Sequence, residues 1–320
     1  MVLINSTHED VSTNNVIEWL INDNQSVKRL NEDAKIHSVS YKKGKLTIQA
    51  SGSMIDINTD EIQGYWFRRG WFNISTFRLD TKKTHHVKLN NHVTMENGRL
   101  IEYIEYRLSQ TCNRIGRAAT CKNVNKLIAL ETAIEIGLDV PPYIITTSRA
   151  ELLQFYELNG PVVCKPISES IAFNSGSKRM SMYAGLLGLD DILKLPLIFD
   201  HSFFQVYIDK EYDIRSFILH EKVYSAAIIS QTHEQTRVDF RKYDSESPNK
   251  IVPFKLPHNI EEKLASLVYK LDIDSGSADI VKKGNKFYFL EVNPVGQYDF
   301  VSKACNYQLD KVIAKTLLHE

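Results

Sequence analysis

Glu291 and Asn293 stand two residues apart at the end of an apolar run, "KFYFLEVNP", where burial of hydrophobic surface gives no reason for either. Residues i and i+2 of a β-strand share a face, so a carboxylate and an amide oxygen leave this strand on one side and Val292 on the other. Hard oxygen donors in that arrangement suit Mg²⁺. The preceding run, "SADIV", pairs with it as a hairpin and offers Asp279 as a third ligand. Parity decides whether it can serve. A two-residue turn at Gly284-Asn285 puts Asp279 on the face opposite Glu291, so a metal site requires a three-residue loop or a β-bulge. The bland alternative is an edge-strand carboxylate in solvent followed by a plain Asn293-Pro294 turn.

Two lysines stand where a core pattern would not put them. Lys165 interrupts the apolar strand "VVCKPI", and Lys126 opens the helix "NKLIALETA". A lysine in a short buried strand costs desolvation unless an anion meets it, and a phosphate is one such anion. The alternatives are a snorkelling strand end for Lys165 and a solvated first helical turn for Lys126. Farther on, "FFQVYIDKEYDIRSF" sets Gln205, Glu211, Asp213 and Arg215 among apolar residues, and "DFR" repeats the i, i+2 spacing with Asp239 and Arg241. Arginines converging on a metal-bound polyphosphate form the charge clamp of a phosphoryl-transfer site. As isolated salt bridges the same pairs are unremarkable.

The elements that must position these residues follow from periodicity. "MVLIN" and "STNNVIEWLI" read as a strand leading into a helix, and "KLTIQA" and "IQGYWFRR" as further strands, which makes residues 1–110 a small α/β unit. Leu127, Leu130, Ala133, Ile134 and Leu138 keep helical spacing, ended by Gly137 and by Pro141-Pro142. Ser148 and Glu151 predict a capping box opening a helix that stops at Asn159-Gly160. "FFQVYI", "YDIRSFIL" and "VYSAAIIS" read as strands with a turn at His220-Glu221, "IEEKLASLVYKL" as an amphipathic helix, and "YQLDKVIAKTLL" as a closing helix. The alternation lacks the regular βαβ rhythm of a doubly wound sheet and predicts α+β subdomains around a cleft.

Charge narrows the partners. Lys+Arg and Asp+Glu both number 39, so no global field favours nucleic acid or an anionic membrane. Cys112, Cys121, Cys164 and Cys305 form no C-x-x-C pair, which argues for reduced thiols rather than zinc or a disulfide framework. "MVLINSTHED" lacks the pattern of a signal peptide, and no apolar run reaches membrane-spanning length. The expectation is a soluble, cytoplasmic protein.

In order, Lys126, Lys165, "QVYI", "DIR", "DFR", Asp279 and "LEVNP" resemble the parts of an ATP-grasp ligase. The chain is most similar to the maturases of graspetides (microviridin-type peptides), in particular the grasp-with-spasm type. "YWFRRGW", "FLEVNPVGQYDF" and "SKACNYQLDKVIAKTL" carry that part of the resemblance, which spans residues 60–315. It implies an ATP-grasp fold of mixed α/β and α+β class. Residues 1–115 would be an N-terminal α/β (pre-ATP-grasp) domain, and residues 116–200 and 201–320 two α+β subdomains enclosing ATP. Lys126 and Lys165 would hold the phosphates of ATP. Gln205 and the backbone around Tyr207 would meet the adenine, with Ile208 packing on it, and Glu211 or Asp213 would lie near the ribose. Arg215 and Arg241 would face the phosphates or an acyl-phosphate as catalytic cations, and Asp279, Glu291 and Asn293 would hold Mg²⁺. After Lys165, "SESIAFNSGSKRM" contains only Gly176, which leaves Lys178 or Arg179 to cover the γ-phosphate where many ATP-grasp enzymes use a Gly-rich loop.

The activity implied is ATP-dependent macrocyclisation of a ribosomally made precursor peptide. Asp or Glu side chains would be phosphorylated and then joined to Ser or Thr as esters or to Lys as amides. The same ATP residues would serve a ligase that adds amino acids to a protein tail or a small peptide, or a non-catalytic nucleotide-binding protein. "RMSMYAGLLGLDDILKLPLIF", with Asp190-Asp191, would either receive an amphipathic leader peptide or pack the subdomain. Arg68 and Arg69 would bind substrate carboxylates or close a strand. The resemblance also implies a homodimer.

Overall fold

The computed structural model describes residues 1–50, 55–121, 124–168, 172–175, 178–181, 184–230 and 249–319. Two compact units divide the chain: residues 1–123 with 308–320, and residues 124–307.

In the first unit, β1 (Val2–Asn5) leads to α1 (Val11–Asn22), β2 (Val27–Leu30), β3 (Lys35–Lys42), β4 (Lys45–Ala50) and β5 (Ile55–Asn58). Then come β6 (Gly64–Phe67), β7 (Asn73–Ile74), α2 (Thr84–Thr111), β8 (Asn113–Ile115) and α3 (Ala118–Cys121). Strands β2-β1-β6-β8 form a parallel sheet, and β5-β4-β3-β7 a mixed one, antiparallel except between β3 and β7. Val2, Leu3 and Ile4 are all fully buried, as expected of a parallel strand covered on both faces. Asp10 caps α1 by accepting from the Thr13 N–H at 3.1 Å. The same carboxylate lies 3.2 Å from Arg68 Nε and 3.1 Å from Arg69 Nε. "YWFRRGW" therefore closes the end of β6 against the start of α1, the second of its two alternatives. Gly70 is required there, because a Cβ would stand 2.4 Å from the Ser6 carbonyl oxygen and φ is +78°. Helix α2 escapes the periodicity analysis because only Ile104, Glu105 and Leu108 of its 28 residues are buried.

The second unit holds α4 (Lys126–Glu135), β9 (Tyr143–Ser148), α5 (Arg149–Asn159), β10 (Val162–Lys165), β11 (Ala172–Ser175) and β12 (Lys178–Ser181). It continues with β13 (Gly185–Leu187), α6 (Leu189–Leu193), β14 (Ile198–Val206), β15 (Tyr212–Leu219) and β16 (Lys222–Ile229). The remaining elements are β17 (Lys250–Phe254), α7 (His258–Lys270), β18 (Ser275–Lys283), β19 (Lys286–Asn293) and α8 (Asp299–Cys305). Strands β13-β10-β14-β9 make one antiparallel sheet, packed through Val162 and Phe204 against Leu152 of α5 and Ile192 of α6. Strands β17-β16-β15-β18-β19 make a second. One face of it buries Ile214, Ile218, Ala278, Ile280, Phe289 and Val292 with Leu130 of α4 and Leu264 and Leu267 of α7. Each large side chain so buried contributes about 1.5–3 kcal/mol. The opposite face is covered in part, where Ala226 packs with Val301 and Cys305 of α8.

Ser148 caps α5 by accepting from the Glu151 N–H at 3.5 Å, but the reciprocal arm of the predicted capping box is diverted. Thr146 stands between them, donating its hydroxyl to Glu151 and accepting the Ser148 N–H at 2.9 Å. The closing helix, α9 (Leu309–Leu317), returns the chain to the first unit, where it packs on α1. No described helix is long and apolar enough to cross a membrane.

Candidate active site

Hairpin parity is settled by a bulge. The turn between β18 and β19 is the two-residue Gly284-Asn285, with Lys283 opposite Lys286 and Ile280 opposite Phe289. Then the register shifts, and Asp279 faces Glu291 instead of Leu290. Leu290 is the extra residue. Without it, strict alternation would send Glu291 to the side of Phe287 and Phe289, which pack into the core. With it, Phe289 and Val292 both reach the core, while Glu291 and Asn293 emerge on the other face beside Asp279.

The same face carries a charged row across three strands. Arg215 on β15 is directly opposite Asp279 on β18, which is directly opposite Glu291 on β19. Arg215 Nη1 donates to Asp279 Oδ1 at 2.6 Å, and their side chains are 8% and 12% exposed. One step along, Phe217, Ser277 and Asn293 align in the same way. The backbone carbonyl of Asn293 accepts from the Gly296 N–H at 2.9 Å. That turn lies so close to β18 that a Cβ on Gly296 would stand 2.5 Å from the Ser277 nitrogen.

Lys126 joins this row from the first turn of α4, whose start is fixed by Asn125 accepting the Leu127 N–H. Its Nζ donates to the Pro166 carbonyl at 2.8 Å and lies 3.3 Å from Glu291 Oε2. Lys165, one residue before that proline, donates to Gln205 Oε1 at 2.8 Å. Gln205 is buried on β14, and its Nε2 lies 3.5 Å from the Pro141 carbonyl. At the end of that strand, Tyr207 N–H donates to the Pro161 carbonyl at 2.8 Å, and Ile208 is half-buried. Thus Lys126 and Lys165 converge on the end of β10, and Gln205 adjoins the chain that follows β14.

Glu211 and Asp213 part company. Asp213 is buried, with Lys210 Nζ 2.6 Å from Oδ1 and Ser230 Oγ donating to Oδ2 at 2.6 Å. Glu211 is exposed and accepts from Lys282 Nζ and from the Gly284 N–H, both at 2.8 Å. The Lys282 hydrogen bond and then the Gly284 N–H hold its carboxyl below the usual range. Lys210 and Ser230 were not singled out in the sequence. The i, i+3 spacing of Lys210 and Asp213 was the available signal. Arg241, with Asp239 and Gly176, lies outside the described residues.

In the segment before β14, Ile192, Leu187 and Leu195 pack on the α5 core, while Leu186, Leu189, Leu193, Leu197 and Ile198 are exposed. Asp191 is spent on capping α6, accepting from the Gly188 N–H at 3.1 Å. Packing of the subdomain, the second alternative for this segment, therefore accounts for Leu187, Ile192 and Leu195.

Among the described residues no group of three or more His, Cys, Asp or Glu side chains is placed to hold a metal, so a cation site here depends on Asn293 as well as two carboxylates. That donor set is all oxygen, lies on one face and suits Mg²⁺. Buried Arg215 Nε has no hydrogen-bond partner, an orphan that an anion would satisfy. The residues present fit a divalent cation beside a polyphosphate.

No family model matches the chain, and no curated protein sequence matches it. Solved structures do match, and they establish that the chain has the ATP-grasp fold. It is similar to the Chryseobacterium gregarium RiPP-associated ATP-grasp ligase, solved in complex with ADP and a leader and core peptide. That likeness has 23% identity and a TM-score of 0.83, covering 99% of this chain and 96% of that one. It is also similar to macrocyclase MdnC from Microcystis aeruginosa MRC, bound with precursor peptide MdnA, at 20% identity and a TM-score of 0.76 over 100% of both chains. D-cycloserine synthetase DcsG shares the fold at 11% identity and a TM-score of 0.54, covering 100% of this chain and 99% of that one. The fold by itself does not name a substrate.

Proposed function

We propose that this chain is an ATP-dependent carboxylate ligase that macrocyclises a ribosomally made precursor peptide. The observation that carries the proposal is the row Arg215, Asp279, Glu291 with Asn293 beside it, turned out of the core by one inserted residue and met by Lys126. A bulge that aligns two carboxylates and an amide on one face has little use in a purely structural hairpin. The likeness to a ligase solved with leader and core peptides, and to a macrocyclase bound with its precursor, supports a peptide as the substrate.

In this proposal Lys126 and Lys165 bind the phosphates of ATP, and Gln205, Tyr207 and Ile208 receive the adenine. Glu211 is the ribose contact, since it is exposed whereas Asp213 is buried against Lys210 and Ser230. Arg215, joined by Arg241, stabilises charge on the phosphoryl group as it moves to an Asp or Glu carboxylate of the peptide. Asp279, Glu291 and Asn293 hold Mg²⁺, which when bound neutralises the phosphate oxygens. A Ser or Thr hydroxyl, or a Lys amine, then attacks the acyl-phosphate and phosphate leaves, closing an ester or amide ring. The exposed apolar residues from Leu186 to Ile198, near Asp190, are the leader-binding surface. A division at residues 1–115, 116–200 and 201–320, a homodimer and a cytoplasmic location belong to the same proposal.

The test is mass spectrometry of candidate precursor peptides from the same locus, incubated with the protein, ATP and Mg²⁺. Loss of one water per ring, abolished by Glu291→Gln, is the expected result. A mass gain equal to an added amino acid would replace the proposal with the tail-adding ligase. An unchanged peptide despite bound ATP would leave a nucleotide-binding protein.

A further inference from the structure

Neither carboxylate of the candidate cation site is without a positive partner. Glu291 Oε2 lies 3.3 Å from Lys126 Nζ, and Asp279 Oδ1 lies 2.6 Å from Arg215 Nη1. All four side chains are at least three-quarters buried. Each carboxylate is thus met by a cation, so a bare divalent cation arrives where the negative charge it needs is already engaged. To bind, it must compete with an ammonium and a guanidinium that cannot follow it into a shared site, because like charges at such range repel. A polyphosphate has the opposite effect. It attracts the same lysine and arginine and, by drawing them off, uncovers Asp279 and Glu291.

We infer that Lys126 and Arg215 act as placeholders for the divalent cation in the nucleotide-free protein, so that the cation site opens only when a polyphosphate takes these two side chains away. This rests on the proposed ATP chemistry for what opens the site, but not for what keeps it closed. Lys126 is the more exposed of the two placeholders, at 16% against 8%. It stands on the first turn of a helix on a flexible four-carbon stem, and the Pro166 carbonyl holds it at a second point. Arg215 is anchored in the middle of a buried strand. Metal and nucleotide are then coupled through the protein, and linkage makes that coupling reciprocal.

The experiment is Mn²⁺ binding followed by electron paramagnetic resonance on the nucleotide-free full chain. Wild type should bind Mn²⁺ weakly. Lys126→Met should bind it tighter by between about 5- and 150-fold, the usual span of a coupling of this kind. Adding Glu291→Gln to Lys126→Met should abolish the gain. Lys126→Gln, scored by the same three-way comparison, guards against a folding defect peculiar to Met, with thermal melting as the check. A merely structural lysine would not create a metal site by its removal. Wild type binding Mn²⁺ as tightly as Lys126→Met would overturn the inference, as would a folded Lys126 variant with no gain. The ATP proposal fails separately, if calorimetry detects no binding of ATP with Mg²⁺ to wild type. A gain of Mn²⁺ by Lys126→Met would stand in that case.

Discussion

Replacing Arg215 and Asp279 together tests whether their pairing exists for stability or for use. At 2.6 Å the attraction between the two charges is roughly 6 kcal/mol for an effective dielectric near 20. Their side chains are only 8% and 12% exposed, and desolvating each ion costs several kcal/mol. Attraction and desolvation nearly cancel, so the intact pair adds little net stability. Breaking it from one side is different. Arg215→Met leaves Asp279 buried without its guanidinium and should cost roughly 3–5 kcal/mol. Asp279→Leu strands a guanidinium with a longer reach toward water, and should cost about 1–3 kcal/mol. The double variant, Arg215→Met with Asp279→Leu, removes both charges while Lys126 and Glu291 keep each other. It should lie within about 1 kcal/mol of wild type, or exceed it. Urea unfolding of the four proteins gives the cycle directly. Additive losses, with the double variant as weak as the two singles combined, would refute the geometry on which both the site and its energetics are argued. A stable double variant that has lost nucleotide-dependent activity would place the value of the pair in function.

Other changes probe what holds the row in place. Gly296→Ala puts a methyl 2.5 Å from the Ser277 nitrogen, which is backbone and cannot swing aside. It should cost about 1–3 kcal/mol and weaken Mg²⁺-dependent activity by displacing Asn293, read by urea melts and rate measurements. Phe289→Ala empties a fully buried position under the bulge, with an expected loss of roughly 3–5 kcal/mol, or about 6–20 °C in melting temperature. Glu211 has its pKa lowered in the folded chain by Lys282 and the Gly284 N–H, so its contribution is present above the ordinary carboxylate value. That contribution is lost as pH falls through the lowered value, and Glu211→Gln should flatten the acid side of the stability profile in urea titrations run from neutral to about pH 3. Burial pushes the Cys112 thiol up to about 11, so native protein at mildly alkaline pH should resist iodoacetamide at this position until unfolded.

The chemistry of the site was legible because residues such as Glu291, Asn293 and Lys165 contradict the apolar strands that carry them. Their relative geometry was legible only as a condition, a loop of three or a bulge. Yet a trace of the bulge is present in the strand itself. Phe287 and Phe289 set one parity, and Val292 breaks it, which is what an inserted residue between 289 and 292 does to a half-buried strand. Spacing puts Asp213 on the face of Arg215 without revealing that Lys210 and Ser230 engage both its oxygens. Partners brought together by the fold leave no local signal. Helix α2 was missed for the converse reason, since a helix that buries so few side chains has no apolar stripe to read. Ser148 and Glu151 did mark the start of α5, but a threonine two positions upstream supplied a better partner for the glutamate.

The return of α9 has a consequence for how the chain is made. Residues 308–320 complete a unit whose other members are residues 1–123, so residues 1–123 must wait for a segment made after the whole of residues 124–307. Val124–Tyr307, by contrast, is contiguous, and every strand partner in its two larger sheets lies within it. Once residue 307 has been made, residues 124–307 have everything they need while residues 1–123 do not. Until residues 309–317 follow, α1 offers an uncovered flank and the carbonyl of Leu317 has yet to reach its place against Gly64. Synthesis order and folding order thus run in opposite senses for the two units. Removing residues 308–320 would spare the contiguous unit and leave the other without its last helix.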